Sequence, residues 1–319
     1  MVENNPFVRA KDRPLVTGHR GVPTIEQENT VEGLRRAVEL GIPAVEIDVM
    51  VTSCGRVVCF HDDDTMRLTG EPGSIAERSF DEVSRLRVQR RVFMGHGADG
   101  QCWINYPRAR RIPLLAEVLD EFKDKLAINI EMKPSSPNWS RRQDGATVAR
   151  VIRDAGAEDS VIVTSFDFFK LAALEHEHPS LHSGFAYDDG LFDGVINWMQ
   201  WVPGLRAHLS LPEGVRSSGA LIGNLLEANA VGHWVGSSVC AAEHTLLQHT
   251  TVETLRGRSI AAVGTYTLFP LDTRTVKAAA AHAQDEGEIE RLIALGVDWI
   301  ETDDPERVLE HVGLPATGV

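Results

Sequence analysis

Short apolar runs alternate with helix-spaced stretches along most of the chain. Leu15–Thr17 reads as a first strand. Thr30–Leu40 carries apolar residues at Val31, Leu34, Ala37, Val38 and Leu40, which is helical spacing, and Gly41 stops it. Ala44–Val51 and Arg56–Phe60 read as strands, joined by the turn "TSCG", which is too short to hold a helix. The rhythm resumes with a helix over Leu114–Phe122, a strand over Leu126–Met132, a helix over Gly145–Ala155 and a strand over Ser160–Thr164. It continues with a helix over Phe168–His176, strands over Leu181–Ala186 and Ile260–Thr265, a helix over Glu286–Leu295 and a last strand over Asp298–Glu301.

Two segments break this pattern. Residues 66–110 are rich in glycine and charge, with one short helical piece around Phe80–Leu86, and read as an insertion over one face. Residues 187–258 are the least legible, and they leave the strand count at eight or nine. Repeated strand–helix units over 319 residues predict a parallel α/β fold, best matched in size by a closed TIM (β/α)8 barrel. A single domain over residues 1–319 is expected. A doubly wound sheet is the alternative, but no G-x-G-x-x-G or P-loop supports a nucleotide site on one.

Charge narrows the function classes. A formal net charge of −14 disfavours a sequence-independent grip on nucleic acid or on an anionic membrane. A local basic spot for a phosphate is still compatible with it. The four cysteines, Cys54, Cys59, Cys102 and Cys240, form no C-x-x-C pair and suggest neither a thiolate zinc site nor a disulfide framework. The N-terminal stretch has no long apolar run and carries Glu3 and Asp12. Neither a secretory signal nor a stable membrane anchor is expected, and a cytoplasmic location is.

In barrels of this kind the reactive groups sit where strands end. The expected strand ends carry His19-Arg20, His61-Asp62, Glu131 with Lys133, and Ser165-Phe166. Glu46 and Asp48 lie two apart on one strand and share a face, while Val45, Ile47 and Val49 share the other. Carboxylates gathered inside a barrel repel one another and resist desolvation unless a cation sits among them. With Glu131 as a third oxygen donor, the set favours a hard divalent ion, Mg2+ or Ca2+, over zinc. Taken singly, an acidic pair is often a solvated edge, and a lone histidine is more often structural. Their joint fall at strand ends argues for a site.

The segments "GHRG", "ENT", "VEIDVMVT", "VVCFHDDDTMRLTG" and "IEMK", in this order and spacing, resemble the glycerophosphodiester phosphodiesterase family. The likeness returns at "RIPLLAEVLDEF" (111–122), "VIVTSF" and "GVDWIETDDP" (296–305). The resemblance implies a metal-dependent TIM barrel that hydrolyses glycerophosphodiesters to glycerol 3-phosphate and an alcohol. It implies His19 and His61 as a general acid/base pair and Glu46, Asp48 and Glu131 as holders of the cation. It also implies Arg20 and Lys133 as phosphate ligands and Glu28 as a supporting residue, while Asn29 is a candidate N-cap for the following helix. The chain departs from the family pattern at Gln27, at Cys54-Gly55 and at Gly264-Thr265-Tyr266-Thr267, so the alcohol subsite is less secure than the reaction type.

Two rivals are weighed. One is a lysophospholipase D-type activity on mono-acylated phospholipids, for which "LFDGVINWMQWVPGL" (191–205) could supply an apolar groove. The other is a barrel that binds metal or phosphate without turnover. The remaining histidines carry plainer readings. His176, His178 and His182 flank a helix end, and His233, His244 and His249 lie in the illegible segment. Trp103, Tyr106 and Trp139 read as loop aromatics that cover the core near the barrel mouth.

Overall fold

The computed structural model describes residues 4–97, 99–134, 139–188, 235–257, 260–273 and 285–313. Eight parallel strands form a closed barrel. They are β1 (Leu15–Gly18), β2 (Ala44–Val51), β8 (Ala127–Met132), β9 (Val161–Ser165), β10 (Ser183–Tyr187), β11 (Val239–Glu243), β12 (Ala262–Leu268) and β13 (Trp299–Thr302). Closure is explicit, since β1 pairs in parallel with both β13 and β2. The ninth strand of the sheet, β3 (Val57–Cys59), returns antiparallel along β2, as the four-residue turn requires.

The helices lie outside the barrel: α1 (Val31–Glu39), α4 (Leu115–Phe122), α5 (Asp144–Ala155), α6 (Phe168–Glu177), α7 (His249–Gly257), α8 (Glu286–Leu295) and α9 (Pro305–Val312). Side-chain alternation sends Val45, Ile47 and Val49 of β2 into the layer between barrel and helices, with Leu34 of α1 and Val118 of α4. The opposite face of β2 points into the barrel and carries Glu46 and Asp48.

The floor of the barrel is apolar. Phe7 meets Trp299 edge-on at 5.6 Å, above a ring of small residues that includes Ala44, Ala127, Ala241 and Ala262. Trp299 fits because its neighbour across the ladder is Gly264, where a Cβ would lie 1.8 Å from the indole. The sixth barrel strand, β11, falls in the stretch that is least legible as sequence. "VCAAE" is short and built of small residues, so it carries little periodic signal.

Between β3 and α4 the chain leaves the barrel sheet. It forms α2 (Met66–Thr69), a 3-10 turn at Ile75–Glu77, α3 (Phe80–Val83), and four short strands: β4 (Arg87–Val88), β5 (Arg91–Gly97), β6 (Gly100–Asn105) and β7 (Arg110–Arg111). Strand β4 pairs with β7, and β5 pairs with β6. This is richer than the single helical piece that its composition suggests. Leu68, Ile75, Val83, Val92 and Tyr106 bury themselves against Met50, Val58 and Phe60, which anchors the segment on β3.

Candidate active site

The site begins with a tight turn at the end of β1. A Cβ on Gly18 would lie 2.2 Å from the Gly21 carbonyl oxygen, so only glycine allows this approach. Arg20 then takes a left-handed backbone with φ 57°, and its N–H donates to Glu46 Oε2 at 2.9 Å. Among the described residues the other non-glycine positive-φ positions are Asn29 and Phe269. Such conformations cost about 1–3 kcal/mol each and collect at functional sites.

Asn29 does not cap α1. Thr30 does, its hydroxyl accepting from the Gly33 N–H at 3.1 Å. Asn29 instead turns inward, donating to Asp48 Oδ2 at 2.8 Å and accepting from the Asp48 N–H at 2.9 Å. Its left-handed backbone aims it at β2.

The barrel mouth opens into a pocket of about 800 Å³, lined in part by His19, Arg20, Glu28, Asp48, His61 and Lys133. Register places Asp48 directly beside Glu131 across the β2–β8 ladder, with Glu46 one step below. Ligand oxygens of Glu46, Asp48 and Glu131 lie within 4.8 Å of one another. Lys133 Nζ reaches Glu131 Oε1 at 2.7 Å and Asp48 Oδ1 at 3.2 Å. Arg20 reaches Glu28 Oε1 at 3.1 Å and Asp48 Oδ2 at 3.3 Å. Seven of the eight site residues read from the sequence thus line one cavity, and the eighth, Glu46, lies within 4.8 Å of Asp48 and Glu131 by its ligand oxygen.

Each histidine is held by a carboxylate. His19 Nδ1 lies 2.6 Å from Asp303 Oδ1, and His61 Nδ1 lies 2.6 Å from Asp62 Oδ1. With Nδ1 donating, Nε2 carries the lone pair for chemistry. Burial, with Arg20 and Lys133, holds the pKa of His61 below its ordinary value, against the opposing pull of Asp48 and Asp62. Asp303 receives a second bond from the Leu271 N–H at 2.6 Å.

Arg67 binds two of these carboxylates together. It donates to Glu28 at 2.7 and 2.9 Å and to Asp62 at 2.6 and 2.8 Å. Burial alone would raise the Glu28 pKa, but Arg67 and Arg20 bring it down to about 2. Asp62, Asp303 and Arg67 carry no site role in the sequence reading. Their functional signal is the contact itself, which joins positions as far apart as 19 and 303.

Two acidic groupings could hold a cation; each touches cationic side chains, Arg67 on the first and Lys133 with Arg20 on the second, and a buried unpartnered oxygen separates them. In the first, Glu28 and Asp62 already have their oxygens taken up by the Arg67 guanidinium, and His61 Nδ1 is taken up by Asp62. Glu46, Asp48 and Glu131 differ. Glu46 Oε1 is buried and has no hydrogen-bond partner, and burial with Asp48, Glu301 and Glu131 pushes the Glu46 pKa well above its ordinary value. An orphaned carboxylate oxygen among like charges fits a divalent cation with oxygen ligands.

The other histidines and aromatics do structural work where they are described. His182 is buried, not at a solvated helix end, and pairs with Ser238 Oγ at 3.0 Å. His178 meets Glu158 at 3.2 Å, and buried His244 meets Glu288 at 2.7 Å. Tyr106 is buried with its hydroxyl donating to the Pro23 carbonyl. Trp103 lies on β6, not in a loop, and is 43% exposed. The side chains of His249 and Trp139, together with His233 and residues 191–205, lie outside the described residues.

The sequence profile of the glycerophosphoryl diester phosphodiesterase family matches residues 19–307. A glycerophosphodiester phosphodiesterase of Caldanaerobacter subterraneus subsp. tengcongensis is 29% identical over 182 residues, covering 57% of this chain and 70% of that protein. Among solved structures, an Oleispira antarctica phosphodiesterase in complex with sn-glycerol-3-phosphate superposes with TM-score 0.65 at 20% identity, covering 95% of this chain and 98% of that one. The Thermotoga maritima glycerophosphodiester phosphodiesterase gives TM-score 0.56 at 22% identity, covering 93% of this chain and 97% of that one. These structural likenesses establish the barrel fold.

Proposed function

The chain belongs to the glycerophosphoryl diester phosphodiesterase family, and we propose that its pocket hydrolyses glycerophosphodiesters to glycerol 3-phosphate and an alcohol with the aid of a divalent cation. The observation that carries the reading is the meeting, in one pocket, of two carboxylate-held histidines, two cations and the three-carboxylate cluster.

Glu46, Asp48 and Glu131 would hold the cation, which when bound polarises phosphoryl oxygens and offsets developing charge. Magnesium and calcium suit this donor set equally. Arg20 and Lys133 bind the phosphate, the first through a planar fork and the second as a point charge. Both are already seated beside Asp48, so substrate meets an ordered pair.

His19 and His61 serve as the acid/base pair. One takes a proton from the attacking hydroxyl, and the other gives a proton to the leaving alkoxide. Asp303 and Asp62 keep each ring in the tautomer that leaves Nε2 available. Glu28 steadies Arg20 from beneath, and Arg67 ties Glu28 to Asp62. Residues 66–110 are read as an insertion that carries Arg67 into the site.

Phosphorus NMR of glycerophosphocholine incubated with the protein and Mg2+ or Ca2+ tests the reading. Conversion of the diester signal to glycerol 3-phosphate is expected, with kcat lowered about 10²–10⁴-fold in His61→Ala. Wild-type turnover unchanged by His61→Ala would refute the assigned pair.

A further inference from the structure

The loop that follows β12, residues 269–273, is anchored on both sides by other parts of the chain. Phe269 has a left-handed backbone, φ 53°, and the Arg307 guanidinium lies 3.9 Å over its ring. At its far end the loop meets the β5–β6 hairpin, 176 positions away in sequence. Asp272 Oδ1 accepts from the His96 N–H at 3.2 Å. The His96 carbonyl accepts in return from the Thr273 N–H at 3.0 Å and from the Thr273 hydroxyl at 2.7 Å.

The hairpin is shaped for this clasp. Register shifts between Phe93 and Gly95, so Met94 is an extra residue on β5 and the strand bends there. Gly95 takes φ 124°, and a Cβ on it would lie 2.2 Å from the Asp272 Cβ. Backbone and space both demand glycine at this crossing. The His96 ring stands edge-on to Phe93 at 5.1 Å. Phe93, Gly95, Leu271 and Asp272 all line the pocket, so the clasp closes one side of its rim.

Between the two anchors lies Leu271. Its N–H donates to Asp303 Oδ2 at 2.6 Å, while Asp303 Oδ1 holds His19 Nδ1 at 2.6 Å. A carboxylate bound on both oxygens cannot turn, and the imidazole it holds keeps its aim. The second donor belongs to a loop and not to the sheet, so its place depends on what anchors the loop.

We propose that Asp272 is a positioning residue for His19. Its bond to the His96 N–H fixes residues 269–273, the Leu271 N–H then fixes Asp303, and Asp303 fixes the imidazole. The segment between β3 and α4 would then serve both histidines, through Arg67 and Asp62 at His61 and through the His96 clasp at His19. The inference rests on the phosphodiesterase reading for the role of His19. No step of it passes through Arg20 or Lys133, so the grip on phosphate is expected to survive its loss.

The test combines steady-state hydrolysis of glycerophosphocholine with Mg2+ or Ca2+ and the NMR resonance of the Leu271 amide, in wild type, Asp272→Ala and Asp272→Asn. Asp272→Ala is expected to lower kcat about tenfold with KM nearly unchanged, and to move the Leu271 resonance. Asp272→Asn keeps an acceptor for the His96 N–H and is expected to restore most of kcat. Gly95→Ala presses on the same contact from the hairpin side and is expected to move the same resonance, with the sequence of the loop intact. An unchanged kcat in Asp272→Ala, an equal loss in Asp272→Asn, or a Leu271 resonance unmoved in Asp272→Ala overturns the proposal. A rise in KM alone also overturns it and makes Asp272 a wall of the substrate pocket. Absence of wild-type turnover under either cation would sink the phosphodiesterase reading instead, and the Leu271 resonance would then decide by itself whether the clasp holds Asp303.

Discussion

At the scale of single residues, the proposed chemistry depends on side chains that act through others. His19 and His61 can be found by position, but what makes each usable is a carboxylate at 2.6 Å on Nδ1. Asp303→Asn and Asp62→Asn are each expected to lower kcat by about 10–100-fold, the usual loss when an orienting partner is removed. Steady-state kinetics with circular dichroism as a folding control decides it. Arg67→Lys is a sharper probe, because one ammonium cannot span four carboxylate oxygens. A similar loss of kcat is expected, and an unchanged kcat would show that Arg67 only supports the fold. Glu46 and Asp48 were legible because strand alternation sets them opposite Val45, Ile47 and Val49. Asn29 was misread as a cap because its left-handed backbone, which turns it toward Asp48, leaves no trace in local spacing.

Whole elements were legible in proportion to their period. Helices α4 and α8 run over the predicted residues to within one position, because their apolar stripes repeat at helical spacing. Strand β11 escaped notice because alanine and cysteine give no contrast. The floor of the barrel depends on a pairing between two elements, Gly264 of β12 and Trp299 of β13. Gly264→Ala is expected to destabilise by about 1–3 kcal/mol through overpacking, read as a lower melting temperature. Helix α6 carries a pH-dependent element. Burial raises the pKa of Glu175 to about 7 from an ordinary 4.5, against a bond from Ser183 Oγ. The protonated form is therefore the one the fold favours. Its contribution is complete below pH 4.5, declines between 4.5 and 7, and is gone above. Glu175→Gln is expected to flatten the fall in melting temperature over that window. An identical fall in both proteins would contradict the assignment.

Over the whole molecule, a barrel and a side structure converge on one pocket. The barrel supplies the acidic cluster and Lys133 from β2 and β8 and the region just beyond, while α2 brings Arg67 across to Glu28 and Asp62. Among the described residues no helix is long and apolar enough to cross a membrane. Clustered carboxylates weaken the fold unless a cation relieves them, so the proposed metal is expected to raise stability as well. Adding Mg2+ or Ca2+ at a hundred times its Kd is expected to stabilise the protein by about 2.7 kcal/mol, seen as a raised melting temperature. Glu46→Gln is expected to diminish that gain. The most direct test of the central claim is glycerol 3-phosphate release from glycerophosphocholine and glycerophosphoethanolamine, run with chelator, with restored Mg2+ or Ca2+, and in His19→Ala. The expected result is activity abolished by chelator, recovered with the ion and lost in the variant. Release that persists undiminished in chelator, or in His19→Ala, would contradict it.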